Sequence, residues 1–188
     1  MKRRSEEQQE LVLREAQDSD LPEIQAIYAH HVATGLASFE ETPPDIDELR
    51  RRRADILARG LPYVLVEVGG RVGGYAYAGP YRVRSAYRYA VEDSVYVAPN
   101  CYGRGIGRIA LTAVIERCTA AGMRQMVAVI GDSGNTGSIV LHERLGFRRA
   151  GVLTAVGFKL GRWVDSVLMQ RALGIGEGGL PNDSVRGR

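Results

Sequence analysis

Cysteine is scarce in this chain: Cys101 and Cys118 are the only two in 188 residues. They form no CxxC pair and have no further partners, which excludes a disulfide framework and makes a reduced, cytoplasmic setting the expectation. Long apolar runs are also missing. None approaches the roughly 20 residues of a membrane-crossing helix, and Met1 to Glu10 is charged throughout with no apolar core, so it does not read as a signal peptide. Neither sign of charge dominates: 25 Lys and Arg against 22 Asp and Glu leave +3. Such a balance calls for neither a nucleic-acid nor a membrane partner, although a mildly basic chain suits an anionic cofactor. There are three histidines. His30 and His31 lie side by side on a predicted helix, without metal-ligand spacing, and read as structural; no metal is expected. No internal repeat is evident.

What remains is a hydrophobic fraction of 45%, enough for one core, patterned into alternating helices and strands. Residues 1–10 and 174–188 lack periodicity and are expected as flexible tails around a domain at 11–173. A strand at 11–14 is followed by Asp18-Ser19-Asp20, a helix N-cap signal, and then Leu21, Ile24, Ile27, Tyr28 and Val32 at helical spacing. A second helix carries Ile46, Leu49, Arg53 and Ile56. Its run Arg50 to Arg53 circles more than one turn and reads as a solvated helix surface, not a nucleic-acid patch. Strands at 63–68 and 72–78 flank Gly69-Gly70, a strong hairpin signal. In the next strand a period of two puts Val91, Asp93, Val95 and Val97 on one face and Glu92, Ser94 and Tyr96 on the other. A helix over 105–121, a wholly apolar and therefore buried strand at 126–130, a helix over 138–145, and strands at 150–156 and 163–171 complete the order. That order specifies an α/β class with a mixed sheet and helices on both faces.

Chemistry concentrates in Cys101-Tyr102-Gly103-Arg104-Gly105-Ile106-Gly107-Arg108, directly after a strand and before a helix. Alternate glycines let backbone approach a ligand closely and turn several N–H groups one way. The helix N-terminus adds a positive dipole, and Arg104 and Arg108 can each add a charge-assisted hydrogen bond, so the turn suits a pyrophosphate. The Lys-Ser/Thr of a nucleoside-triphosphate loop is absent, and the glycine spacing is not that of a dinucleotide fold. A plain glycine turn is the remaining alternative on spacing alone.

The valine-rich strand, Pro99, Gly103-Arg104-Gly105-Ile106-Gly107, the amphipathic helix, the apolar strand, Asn135 and Leu141-His142-Glu143-Arg144-Leu145-Gly146-Phe147 together resemble the GNAT superfamily of N-acetyltransferases. Residues 91–97, 127–131 and 157–165 are similar to its phosphinothricin and methionine sulfoximine acetyltransferases. The resemblance spans about residues 11–173. It implies a mostly antiparallel sheet splayed between the Glu92 and Met126 strands, with acetyl-CoA in the gap. Its pantetheine would pair with backbone at Val95 and Val97, its pyrophosphate would sit on the amides from Gly103 through Ile106 to Arg108, and Asn135 and Ser138 would meet its thiol end. Tyr102 departs from the usual Gln or Arg there, which implies weakened cofactor binding.

Acetyl transfer from a thioester needs a neutral amine, a sink for its proton and stabilisation of the developing oxyanion. Glu92 reads either as a surface carboxylate or as the general base, and the resemblance favours the base. The oxyanion is expected at a backbone N–H near Tyr96 or Val97. Where many relatives carry a Tyr to protonate the thiolate, this chain has His142; imidazole or a water can serve, and a packing role is the alternative. The Arg- and Tyr-dense stretch 80–89 reads as a basic surface loop until the resemblance places Arg82, Tyr87 and Arg88 on the amino-acid site, with Phe39 and Lys159 in other parts of that pocket. Guanidinium groups bind carboxylates and phosphinates bidentately. The resemblance also implies a homodimer and a small amino-acid-like acceptor. Another amine or a protein N-terminus, or a non-catalytic acetyl-CoA sensor, are the competing readings.

Overall fold

The computed structural model describes residues 10–181. Of the residues expected as N- and C-terminal tails, 1–9 and 182–188 lie outside the described ones. Within them, 174–179 form turns, and Arg124 Nη2 donates to the Gly179 carbonyl at 2.6 Å.

Among the described residues, seven strands form one sheet in the order β1-β2-β3-β4-β5-β7-β6. They are β1 (Leu11–Glu15), β2 (Tyr63–Val68), β3 (Arg71–Pro80), β4 (Ala90–Val97), β5 (Gln125–Gly131), β6 (Arg148–Lys159) and β7 (Arg162–Ala172). All pairs are antiparallel except β4 with β5. Four helices cover the sheet: α1 (Leu21–Thr34), α2 (Ile46–Ala58), α3 (Ile106–Ala120) and α4 (Thr136–Arg144).

The predicted element order holds throughout, and so does the two-face reading of β4. Tyr96 meets the Tyr28 ring of α1 edge-on at 4.9 Å. Val95 and Val97 turn the other way, toward α3, where a Cβ on Gly107 would lie within 3.8 Å of both. Gly74 of β3 allows α3 to close on the sheet, since a Cβ there would stand 2.7 Å from Ile106 Cγ2 and 2.8 Å from the Tyr96 carbonyl. Burial of Ile106, Ala110, Leu111, Val114 and Cys118 beneath this contact forms the centre of the core.

Four details differ from the sequence expectation. The Asp20 carboxylate does not cap α1; it accepts from the Gln17 amide at 2.7 Å and is clamped by Arg14. Arg50, Arg51 and Arg52 each pair with an acid on or near α2, as a solvated face would, but Arg53 is only 15% exposed and reaches Asp18 at 2.6 Å. The strand expected to end at 156 runs to Lys159, because Ala155, in the left-handed region at φ 53°, makes a bulge that the ladder survives. Leu160 and Gly161, both at positive φ, then turn tightly into β7. Finally, β5 is not wholly buried: Val129 is 38% exposed. The reason lies in the sheet. Parallel pairing of β4 with β5 covers only Ala90 to Glu92 against Gln125 to Val127, and beyond that point the two strands part.

Candidate active site

The parting of β4 from β5 creates the site. In the antiparallel ladder with β3, Tyr81 N donates to the Ala90 carbonyl and Ala98 N to the Gly73 carbonyl. Strict alternation between those two ends ties the backbone of Glu92, Ser94 and Tyr96 to β3 and turns that of Asp93, Val95 and Val97 toward the gap. Val95 and Val97 thus present peptide groups to the opening. Tyr96 does not: its amide belongs to β3, and its ring forms the wall. Of the two residues expected to supply an oxyanion donor, Val97 has the gap-facing N–H. Its carbonyl accepts from His31 Nε2 at 2.9 Å. His31, read from sequence as structural, therefore sits on the gap itself, and burial lowers its pKa, against the pull of the Val97 carbonyl.

Three hollows share walls along this opening. A cavity of about 540 Å³ contains Glu92, Phe39, Tyr77, Ser94 and His142. A second, of about 710 Å³, contains His31, Val97, Tyr102 and Gly103; it shares Ala37, Val95, Tyr96, Asn135 and Ser138 with the first. A groove lined by Gly103, Arg104, Gly105, Gly107 and Arg108 continues from it past Gly137 and Leu141. The result is one trough running from the glycine turn to Glu92.

At one end, Gly103 and Gly105 lie at φ 76° and 80°, with open space where a side chain would begin. Only glycine adopts that backbone without strain, and the bare amides precede the first turn of α3. A turn of this shape fits a diphosphate. The gap-facing peptide edge of Val95 and Val97, whose Val97 carbonyl also receives His31 Nε2, fits the amides of a pantetheine. The residues present thus match acetyl-CoA in both charge and hydrogen-bonding pattern. Tyr102 is 57% exposed beside this path, its ring 6.4 Å from that of His31.

At the other end, Glu92 is the last β4 residue paired to β5, partly buried at the point of parting. Its pKa is raised, first by burial and then by the Asp93 carboxylate, with Arg82 opposing. Asp93, on the opposite strand face, bonds His142 Nε2 at 3.0 Å with both side chains 2% exposed. His142 Nδ1 lies 2.7 Å from the Ser138 carbonyl. Burial would lower the imidazole pKa, but the Asp93 bond and charge, with the Ser138 carbonyl, raise it overall. Both ring nitrogens are thus engaged by protein atoms, and neither points freely at the cavity.

A strap over 36–40 roofs the cavity. Gly131 and Gly157 make room for it: a Cβ on Gly131 would meet the Leu36 carbonyl at 2.2 Å, and one on Gly157 would meet the Phe39 ring at 2.5 Å. Lys159 Nζ donates to the Ser38 carbonyl at 2.7 Å, and Tyr28 Oη lies 3.1 Å from Ser38 Oγ. Burial lowers the Lys159 pKa, while Glu41 and Glu40 pull the other way. Among the residues expected to bind the acceptor, Phe39 lines the cavity and Lys159 braces its roof. Arg82, Tyr87 and Arg88 do not line it; they stand exposed on the loop between β3 and β4. Arg82 lies over the Tyr81 ring at 4.7 Å, and Tyr87 meets the same ring edge-on. The sequence reading did not place Tyr28, His31, Ser38 or Asp93 at the site, yet all four line the trough.

Comparison with known proteins agrees with this geometry. Residues 24–147 match the model of the acetyltransferase (GNAT) family. The chain is 57% identical to a phosphinothricin N-acetyltransferase of Alcaligenes faecalis over 169 residues, covering 90% of this chain and 86% of that protein. It is 44% identical to an L-methionine sulfoximine/L-methionine sulfone acetyltransferase of Pseudomonas aeruginosa, over 84% of this chain and 92% of the relative. Among solved structures, a GNAT superfamily phosphinothricin acetyltransferase from Sinorhizobium meliloti, in complex with acetyl-CoA, superposes with a TM-score of 0.89 at 46% identity, covering 92% and 94% of the two chains. With its splayed sheet and glycine turn, the chain belongs to the GNAT family and is an acetyl-CoA-dependent N-acetyltransferase.

Proposed function

We propose that this enzyme acetylates the α-amino group of a small amino-acid analogue such as L-phosphinothricin, methionine sulfoximine or methionine sulfone, by direct attack with Glu92 as general base. The observation that carries this reading is the position of Glu92: it stands where β4 leaves β5, in the same cavity as the gap-facing backbone of Val95. Acetyl-CoA supplies the activated acetyl group when bound. The amides of Gly103 to Arg108 hold its diphosphate, and Val95 and Val97 align the pantetheine. Asn135 and Ser138 border its thiol end, and the Val97 N–H meets the developing oxyanion. Glu92 takes the amine proton at a carboxylate oxygen, directly or through one water. The substrate class is supported by the named activities of the relatives. Arg82 and Arg88, exposed on the loop between β3 and β4, are the bidentate partners proposed for the acceptor's acidic group.

The test is a panel of amines assayed side by side for acetyl-CoA-dependent thiol release. Phosphinothricin, methionine sulfoximine and methionine sulfone should be acetylated with kcat/KM well above that for polyamines. A preference for polyamines would overturn the acceptor assignment.

A homodimer belongs to the same reading. The β6–β7 hairpin exposes Val152, Leu153, Val156, Phe158, Leu160 and Trp163, each between 47% and 67%, large apolar side chains gathered on one hairpin of the kind that marks an interaction surface. A second copy covers it and closes the acceptor site near the 81–89 loop. Sedimentation should give twice the chain mass, and Trp163→Asp should shift the protein toward monomer while raising KM for the amine. A wild-type monomer at working concentration would remove the second subunit from the account.

A further inference from the structure

A buried histidine–aspartate pair, His142 and Asp93, lies behind Ser138 beside the trough and has no role in the steps above. Ser138 and His142 are one turn apart on α4, on the same helix face. Ser138 Oγ lies 3.4 Å from His142 Nδ1, and His142 Nε2 lies 3.0 Å from Asp93 Oδ2. Serine, histidine and aspartate are in series, with the hydroxyl at the open end: Ser138 lines both the Glu92 cavity and the neighbouring cavity. His142 and Asp93 are sealed behind it. Nε2 faces the Asp93 carboxylate, and Nδ1 faces the Ser138 carbonyl at 2.7 Å, with the hydroxyl farther off at 3.4 Å. With Asp93 ionised, both contacts are hydrogen bonds only if the ring is an imidazolium.

We propose that Ser138 Oγ is the catalytic hydroxyl that protonates the departing CoA sulfur, that His142 refills it, and that Asp93 is the positioning residue that keeps His142 charged. As the carbon–sulfur bond breaks, its electron pair stays on sulfur. Ser138 passes its hydroxyl proton to that sulfur and takes one from His142 Nδ1, whose hydrogen bond moves from the Ser138 carbonyl to Oγ. His142 is left neutral, its Nε2–H still donating to Asp93 Oδ2, and it regains a proton at Nδ1 from solvent after CoA leaves. The amine's proton is held separately by Glu92. This assignment rests on the proposed function. The groups packed against the ring bear on its titration as follows. β4 contributes Asp93, with Glu92 the adjacent carboxylate; α4 contributes Ser138. Phe147 meets the ring edge-on at 4.9 Å, and β5 and β7 bring Ala128, Ile130 and Ser166 to the same cavity.

The experiment joins nitrogen NMR of the three histidines with pH-dependent kinetics. His142 should titrate above the ordinary imidazole range, and kcat should fall as pH rises through that same value. Asp93→Asn should move both the NMR titration and the alkaline limb to lower pH together. Ser138→Ala should lower kcat by about tenfold. That is less than a full general acid's contribution, because a thiolate is already a fair leaving group. Its acetyl-CoA Kd should change far less than kcat, Ser138→Thr should restore most of the rate, and the defect should shrink with an acetyl thioester of a more acidic thiol. Unchanged kcat in Ser138→Ala, or an alkaline limb that ignores the His142 titration, overturns the relay while leaving the transferase reading intact. A wild-type protein that acetylates no amine overturns both. Should Ser138→Ala fail to fold, the wild-type comparison of limb and titration still decides.

Discussion

Replacing Glu92 by Gln should lower kcat by roughly 10²-fold or more while leaving the Kd for acetyl-CoA nearly unchanged. Glutamine keeps the size and the hydrogen-bonding reach of the side chain but cannot accept a proton. The glycine turn and the peptide edges of Val95 and Val97 are untouched by the change. The pH profile gives the same test a second axis. Only the carboxylate form of Glu92 acts as a base, and burial, followed by the Asp93 charge, raises its pKa. Wild-type kcat/KM should therefore fall as pH drops through a value above the usual carboxylate range. Arg82→Ala should push that limb further up, because Arg82 pulls the Glu92 pKa down. In Glu92→Gln the acid limb should disappear. A variant with wild-type turnover, measured by thiol release under saturating acetyl-CoA, would strip Glu92 of its role.

Gly105→Val should raise the acetyl-CoA Kd by about tenfold or more while changing kcat at saturation much less. Gly105 stands at φ 80°, immediately before α3. A left-handed backbone costs a residue bearing a Cβ roughly 1–2 kcal/mol, and valine's branching adds to the crowding where a diphosphate must approach. Relief of that strain pulls the amides out of line. Gly60→Val is the control: Gly60 is also left-handed, at φ 68°, but follows α2 and lines none of the three hollows. It should cost stability and leave the Kd alone. Calorimetry of acetyl-CoA binding to both variants checks the pair, and equal Kd values would remove the turn from cofactor binding.

The parts of this site that could be read from sequence are those fixed by neighbours along the chain. A period of two separates Glu92 from Asp93 without any knowledge of the sheet, and the Gly69-Gly70 hairpin and the Gly103–Arg108 turn declare themselves through glycine's freedom at positive φ. What could not be read depends on partners far away. The exposure of Val129 follows from where β4 and β5 stop pairing, and that is set by tertiary geometry. Asp93 and His142 meet although they stand 49 positions apart, so a buried histidine and a strand aspartate look unrelated in one dimension. His31 looked structural because its partner, the Val97 carbonyl, is 66 positions away. The family resemblance supplied Phe39 and Lys159, yet only the fold shows that the Phe39 ring rests against Gly157 and that Lys159 holds the roof by a backbone carbonyl. Arg82 and Arg88 mark the opposite case: their chemistry was legible, but a loop's direction is decided by its own tyrosines and by whatever packs against it.

The central claim is spatial: backbone amides after β4 hold the cofactor so that its thioester lies between Glu92 and the Val97 N–H. A crystal structure with acetyl-CoA tests it most directly. The diphosphate should lie on the amides of Gly103 to Arg108, with the thioester carbonyl oxygen within hydrogen-bonding distance of Val97 N. A nucleotide bound away from that turn, or an acetyl group outside the cavity that contains Glu92, would contradict the account.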